Sequence, residues 1–332
     1  MLLQTSGGAE VKETSISLGA YETINVVCFR FSITSKIKNS RILKMAQQVV
    51  LITGCSTGMG LDFAVTMARN EKYIVYASMR NLAKKSELEK QAGDSLNKTL
   101  FIKQLDVTKE DEIISVVADI HAERQRIDIL VNNAGFGQFN ACEKVPIEKV
   151  RKIFEGNVIG PTRLCQEVIS GMKERKSGRI IFVGAGMGLV GYPFNEYYSA
   201  AKFAMEGFAE AFAPIGRHFN IWVSTLVPGP VKTTFIENVK MNDLGAFAES
   251  IDADADEETK KLAGNMSGKM QKVIGSESQS PEDITRLLLE VAATEKPHLR
   301  YATSEAMKKL MSGKYVDVTG DGVVDRMCHI LS

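Results

Sequence analysis

The chain has 332 residues, 41 Lys+Arg against 40 Asp+Glu, a net charge of +1, 44% hydrophobic residues and 24% charged residues. A chain of this length buries about three quarters of its unfolded surface and needs no covalent staple, and its balanced charge leaves no cationic excess for neutralising nucleic-acid phosphates. Its five cysteines are scattered and form no Cys-x-x-Cys pair, which argues against a zinc ribbon or a disulfide scaffold and fits reduced thiols in the cytosol.

Residues 1–44 differ from the rest. They are polar around Gly7-Gly8, then basic from Arg30 to Lys44, and read as a poorly ordered extension or as sequence upstream of a start at Met45. Ile24–Phe29 is too short to span a membrane, and Glu10, Glu13 and Glu22 disfavour a transit peptide. With no apolar run long enough for a transmembrane helix, the expected location is the cytoplasm, with membrane association at most peripheral.

From Met45 onward the pattern alternates. Val49–Thr53 is a short apolar run ending in glycines, which suits a buried parallel strand. Leu61–Arg69 reads as a helix, Tyr73–Ser78 as a strand and Leu100–Val107 as a third strand ending at Asp106. Thr108 to Asp111 fits a capping box, with a helix to about Gln125. Ile127–Val131 is a fourth strand, followed by a long helix over Ile147–Lys173, a strand at Arg179–Val183, a helix over Asn195–Ala213 and a strand at Ile221–Val227. Ile284–Ala293 is helical and Leu299–Ala302 a seventh strand. Such alternation requires crossover helices, so the expected fold is α/β: a doubly wound, seven-stranded parallel sheet of Rossmann type with helices on both faces, one domain over 45–332. The segment near 236–280 breaks the pattern and reads as a partly helical lid. Its Asp252, Asp254 and Asp256 lack the glycine and late glutamate of a calcium loop, so they are a solvated acidic face. The four histidines show no metal or triad spacing, and no metal site is expected.

Thr53-Gly54-Cys55-Ser56-Thr57-Gly58-Met59-Gly60 follows the first strand and opens the first helix. Its glycines let backbone approach a pyrophosphate while the helix N-terminus offers unpaired N–H groups to the anion. A glycine-rich turn can exist without a ligand, but this one lies at the strand–helix junction where a dinucleotide fold needs it. NAD binders place an acid after the second strand; here the sequence is Ser78-Met79-Arg80-Asn81, and Arg80, aided by Ser56 or Thr57, favours a 2′-phosphate and hence NADP(H). Otherwise Arg80 is a solvated surface charge. Tyr198-x-x-x-Lys202 puts two side chains on one helical face, where the ammonium lowers the phenol pKa toward the working range. The spacing is common, and its position after the fifth strand gives it weight.

Thr53-Gly54-x-x-x-Gly58-x-Gly60, Asn132-Asn133-Ala134-Gly135, Asn157, Tyr198-x-x-x-Lys202 and Pro228-Gly229 together resemble the short-chain dehydrogenase/reductase family over about Gln47 to Tyr301. Gly191–Asn195, the Lys202–Gly207 run, Pro228–Thr233 and the Leu299–Tyr301 tail resemble the branch that acts on steroids and retinoids. The resemblance implies that Tyr198 is the general acid/base, that Lys202 binds the nicotinamide ribose, and that Asn157 holds a water in a proton relay. It implies that Thr53, Gly54, Ser56, Thr57, Gly58, Met59 and Gly60 cradle NADP(H) with Arg80, that Asp106 and Val107 border its adenine, and that Asn133, Ala134, Gly135, Pro228, Gly229, Val231 and Thr233 complete the cofactor site. Read without it, Asn157 is a helix-kink residue and Asp106 a strand-end cap.

One position departs from the pattern. The family places a serine thirteen residues before the tyrosine; here that position is Ala185, between two glycines, and alanine donates no hydrogen bond. Met187, Tyr192, Pro230, Phe235 and the lid are expected to line the pocket, an apolar set that suits a large hydrophobic alcohol, ketone or aldehyde such as a steroid or retinoid. Two readings stay open: an NADP(H)-dependent alcohol/carbonyl oxidoreductase, or a nucleotide-binding sensor or scaffold that has lost a catalytic donor at Ala185. The family also implies a homodimer through the helices carrying Asn157 and Tyr198, with Ala201, Ala204, Ala209 and Ala213 allowing close approach.

Overall fold

Seven strands form where they are expected. In the computed structural model, which describes residues 47–233, 251, 255–314 and 316–332, they are β1 (Gln48–Ile52), β2 (Tyr73–Met79), β3 (Leu100–Gln104), β4 (Ile129–Asn132), β5 (Gly178–Val183), β6 (Ile221–Val227) and β7 (Arg300–Ala302). Their order is β3-β2-β1-β4-β5-β6-β7, and all pairings are parallel. The order reverses between β1 and β4, which opens a crevice at the carboxyl ends of those strands, the place where such sheets bind ligands. The expected extension at 1–44, Phe235 and residues 236–250 and 252–254 of the lid lie outside the described residues.

Alternate residues of one strand feed the two faces. Val50 and Ile52 of β1, with Ile181 and Val183 of β5, enter one core; Val49, Leu51, Ile180 and Phe182 enter the other. The first core is covered by α1 (Gly58–Arg69), through Leu61, Phe63, Ala64 and Met67, and by Ile284, Leu288 and Val291 near the C-terminal end. Each fully buried Leu, Ile or Phe contributes about 1.5–3 kcal/mol relative to exposure. α2 (Ser86–Ala92) had no clear sequence signal, because Leu88 and Ala92 alone are buried on it.

α3 (Glu110–Arg124) begins without the expected capping box. Thr108 donates from its N–H and hydroxyl to Asp106 Oδ1 at 3.0 and 2.8 Å, Lys109 is the N-cap, and Glu110, Asp111 and Glu112 complement the helix N-terminus instead. The long helix runs as α4 (Ile147–Phe154), a π-helical segment (Glu155–Ile159) and α5 (Gly160–Arg175). Its π turn carries Asn157. Gly160 is required beyond it: a Cβ there would lie 2.1 Å from the Val107 carbonyl oxygen.

α6 (Glu196–His218) continues past the expected end at Ala213 and accommodates Pro214 within it. Gly216 sits so close to β6 that its Cβ would lie 2.8 Å from the Ile221 carbonyl oxygen, and this packing fixes the last turn. Ala201, Ala209 and Ala213 are buried within the chain itself, so they are not the dimer-facing residues expected; Ala204 and Phe203 are exposed. Among the described lid residues, α7 (Glu257–Glu277) is helical, capped by Asp256, which accepts from the Thr259 N–H at 2.9 Å.

α8 (Pro281–Ala293) starts three residues earlier than expected because Ser280 and Asp283 form a reciprocal capping box. α9 (Glu305–Ser312) and α10 (Asp321–Leu331) were not anticipated. α10 lies against α7, with Asn265 Nδ2 donating to the Leu331 carbonyl at 3.0 Å. Together they cover an apolar cluster of Phe139, Phe194, Ala263 and Met266, with Tyr192, Ile330 and Leu331 packed on it. Among the described residues no helix is long and apolar enough to cross a membrane.

Candidate active site

Five strand ends build the crevice. After β1, Gly54 and Gly58 adopt φ of +74° and +60°, left-handed values that a side chain rarely takes. Gly60 packs α1 onto the loop so tightly that a Cβ would lie 2.3 Å from the Gly54 carbonyl oxygen and 2.4 Å from Asn133 Nδ2. Thr57 is the N-cap of α1 with no side-chain cap bond, and no acidic residue lies in the first turn. Such a cradle, closed to any side chain but open to an anion, fits a pyrophosphate. Ser56, Thr57 and Met59 lie on its rim, half-buried or exposed.

The loop after β4 is tied to this cradle. Thr53 Oγ1 accepts from the N–H groups of Asn133 and Ala134 at 3.0 and 2.9 Å. Asn133 Nδ2 in turn donates to the carbonyls of Thr53 and Gly54 at 2.8 and 3.2 Å. Thr233, 175 residues beyond Gly58 in the chain, closes over it: a Cβ on Gly58 would lie 3.1 Å from Thr233 Cβ. Val231 is buried, and its segment is fixed by Gln279, which donates from its N–H to the Pro230 carbonyl at 3.0 Å and accepts from the Lys232 N–H at 3.0 Å. Arg80 follows β2 directly and is exposed, with no ion-pair partner among the described residues. Asp106 is engaged locally with Thr108, the strand-end role open to it, and Val107 is buried against Gly160.

Tyr198 and Lys202 share the buried face of α6. The Lys202 ammonium donates to the Val183 carbonyl at 3.0 Å and lies 5.6 Å from the centroid of the Tyr198 ring. Burial pulls the lysine pKa down to about 8, opposed by the negative charge of Glu206. Burial pushes the Tyr198 phenol well above its ordinary value. The expected lowering by the ammonium is therefore absent from the protein on its own: loss of hydration outweighs the cation.

Asn157 Nδ2 donates to the carbonyls of Phe136 and Ile153 at 2.9 Å each, which leaves its Oδ1 buried and unbonded beside Gly135. Lys202 Nζ lies near the same glycine, so Asn157, Gly135 and Lys202 converge. Asn157 thus marks an irregular helical turn, the reading open to it without the family, and its unbonded Oδ1 lies beside Gly135.

Ala185 has an extended backbone, is half-buried, and follows β5 in a turn held by the Gly186 N–H to the Pro228 carbonyl at 3.0 Å. Met187 is half-buried on that turn, and Pro228 and Gly229 face it from β6. α9, which the sequence reading missed, reaches across both: a Cβ on Gly186 would meet Met307 Sδ at 3.0 Å and Leu310 at 3.2 Å, and one on Gly229 would meet Met307 at 3.4 Å. Phe194, at a φ of +61°, lies with Tyr192 in the apolar cluster under α7 and α10. Glu206, Thr225 and Arg300 were also missed, although Lys202-x-x-x-Glu206 carries the same four-residue spacing as the tyrosine–lysine pair.

Residues 48–244 match the model of the short chain dehydrogenase family. Retinol dehydrogenase 8 from Bos taurus is 36% identical over 288 residues, 86% of this chain and 90% of that protein. Human 17-beta-hydroxysteroid dehydrogenase type 1 is 33% identical over 285 residues, 85% of each chain. A short-chain dehydrogenase from Streptomyces avermitilis superimposes with a TM-score of 0.69 at 24% identity, over 86% of this chain and 96% of that one.

Proposed function

Because the chain belongs to the short-chain dehydrogenase family, we propose that this oxidoreductase interconverts an alcohol and a ketone or aldehyde on a hydrophobic steroid- or retinoid-like substrate, using NADP(H). The observation that carries the proposal is the convergence of Tyr198, Lys202 and Asn157 beside Gly135, next to a glycine cradle closed by Asn133 and Thr233. The names of the two relatives support the substrate class, as do the half-buried Met187 and Met307 beside the turn at Ala185.

Bound NADPH supplies the hydride. The chain's own residues do the rest. The cradle around Gly54, Gly58 and Gly60 would hold the pyrophosphate at the N-terminus of α1, and the exposed Arg80 guanidinium would hold the 2′-phosphate. Tyr198, protonated because it is buried, donates its phenolic proton to the substrate oxygen during reduction and takes it back during oxidation. Lys202, fixed by the Val183 carbonyl, steadies the phenolate left behind, and Asn157 Oδ1 offers an acceptor for a water that returns the proton. Ala185 supplies no donor to the substrate oxygen, so turnover is slow.

The exposed Ile147, Ile159, Phe203 and Ile215 on α4 to α6 and its flanks support self-association as a homodimer; a monomer by sedimentation at micromolar concentration refutes that part. The experiment for function is an NADPH titration with a panel of retinoid aldehydes and ketosteroids. Consumption of NADPH with at least one of them is the expected result. Tight binding without turnover on any carbonyl replaces the proposal with the binding-protein reading that Ala185 favours.

A further inference from the structure

Four residues past Lys202 along the same face of α6 stands Glu206, a carboxylate that is only 5% exposed. One of its oxygens is occupied. Oε2 accepts from Arg300 Nε on β7 at 2.7 Å and from Thr225 Oγ1 on β6 at 3.3 Å. Arg300 is itself held from outside by Glu210, one turn further along α6. The other oxygen, Oε1, is buried and without a hydrogen-bond partner among the described residues. It lies beside Gly184, where a Cβ would meet it at 3.1 Å, and Gly184 follows Val183, the residue whose carbonyl holds the lysine.

A small internal cavity lies between these groups, lined by Lys202, Glu206, Thr225, Asn132 and Asn157. Its volume of about 10 Å³ is room for about one water. Three acceptors that border it, Glu206 Oε1, Asn132 Oδ1 and Asn157 Oδ1, are buried and unbonded, a costly arrangement unless a donor serves them. The lysine lines the same cavity, and a water held there would supply two further donors. Asn132 is kept in place by its Nδ2, which donates to the Cys165 sulfur at 3.6 Å, and Cys165 stays a neutral thiol because burial pushes it up to about 12. Among the described residues, the charged and titratable groups around Lys202 are Tyr198 and Glu206 on its own helix, Arg300 on β7 behind Glu206, and this uncharged thiol behind Asn132.

We propose that Glu206 is the positioning residue for Lys202: its carboxylate, clamped by Arg300 and Thr225, supplies the fixed negative charge that keeps the buried ammonium protonated beside Tyr198. An ammonium cut off from water loses its proton unless an opposite charge stands near; burial lowers this lysine, and Glu206 is the charge that opposes it. Arg300 spends part of that negative charge, so the clamp sets how much reaches the lysine. The consequence for catalysis rests on the functional reading above; the coupling between the two side chains does not.

The test is the titration of Lys202 in the cofactor-free, full-length protein carrying isotope-labelled lysine, its side-chain NMR signal assigned with Lys202→Arg. Glu206→Gln, which preserves shape, is expected to weaken proton binding at Lys202 about tenfold, moving the midpoint down by about one pH unit, while Glu206→Asp keeps most of the parent value. Arg300→Gln leaves the carboxylate unopposed and is expected to move the midpoint upward; it also serves if Glu206→Gln does not fold. Midpoints unchanged in folded Glu206→Gln, or a downward shift in Arg300→Gln, overturn the proposal. In the active protein the alkaline limb of kcat for carbonyl reduction should move with the NMR midpoint. A shifted midpoint in a protein that reduces no carbonyl leaves the coupling standing and defeats the functional reading instead.

Discussion

Replacing Gly60 with alanine places a methyl group where the structure has no room for one. The added carbon would lie 2.3 Å from the Gly54 carbonyl oxygen and 2.4 Å from Asn133 Nδ2, against ordinary contacts of 3.4 Å or more. Both neighbours must retreat by about an ångström. One is backbone of the cradle, and the other makes the two hydrogen bonds that join the β1 and β4 loops. Overpacking of this kind costs about 1–3 kcal/mol, and each weakened hydrogen bond adds about 0.5–1.5 kcal/mol. Gly207, in the middle of α6 with nothing within 4 Å of its added carbon, is the matched control; there alanine is expected to stabilise by about 0.5–1 kcal/mol. Calorimetry should show Tm falling for Gly60→Ala and rising for Gly207→Ala. NADPH binding, followed by fluorescence, should weaken about tenfold or more in the first, since each 1.4 kcal/mol is about a factor of ten. Equal stability and equal NADPH affinity in the two variants refute the reasoning that this junction is a ligand cradle.

Arg80→Ala should cut the preference for NADPH over NADH by about 10- to 100-fold, the worth of about 1.5–3 kcal/mol in charge-assisted bonds; equal affinities in the parent refute the assignment. Ala185→Ser should raise kcat by about 10²–10³ with NADPH affinity unchanged, the effect of restoring one preorganised donor. The backbone at Ala185 is extended, a conformation serine adopts as readily as alanine, so an equally slow serine variant means that position 185 does not face the reacting oxygen. Burial pulls the Lys202 ammonium down to about 8 from an ordinary 10.5. Across that window the unfolded lysine holds a proton that the folded one has shed, so its contribution to stability rises with pH. The stability of the parent relative to Lys202→Met should therefore grow from about pH 8 toward 10.5 in denaturant titrations, and a flat or falling difference contradicts the burial.

The sheet was legible because its central strands β1, β4, β5 and β6 are largely buried on both faces and read as apolar runs, bounded by glycines and Asn-Asn. The glycine cradle was legible for the same kind of reason: few other uses exist for Gly54, Gly58 and Gly60 at that junction. The capping at Thr108 was misread because Asp106 competes for the threonine, a local choice that spacing alone does not reveal. α2, α9 and α10 bury few residues each, which leaves little apolar period to detect. Met307 and Leu310 reach Gly186 only through tertiary contact. Glu206 carried a helical spacing to Lys202, but its importance depends on Arg300, 94 residues away. The pKa of Tyr198 could not be anticipated, because the balance between burial and a nearby ammonium is set by packing.

The most direct measurement of the central claim is transfer of deuterium from labelled NADPH to a retinoid aldehyde or ketosteroid, run with the parent protein and with Tyr198→Phe. The account predicts label on the carbonyl carbon of the product with the parent. It predicts a rate about 10²–10⁴ lower with Tyr198→Phe, the range for losing a positioned proton donor, at nearly unchanged NADPH affinity. No labelled product from any carbonyl, or full turnover by Tyr198→Phe, contradicts it.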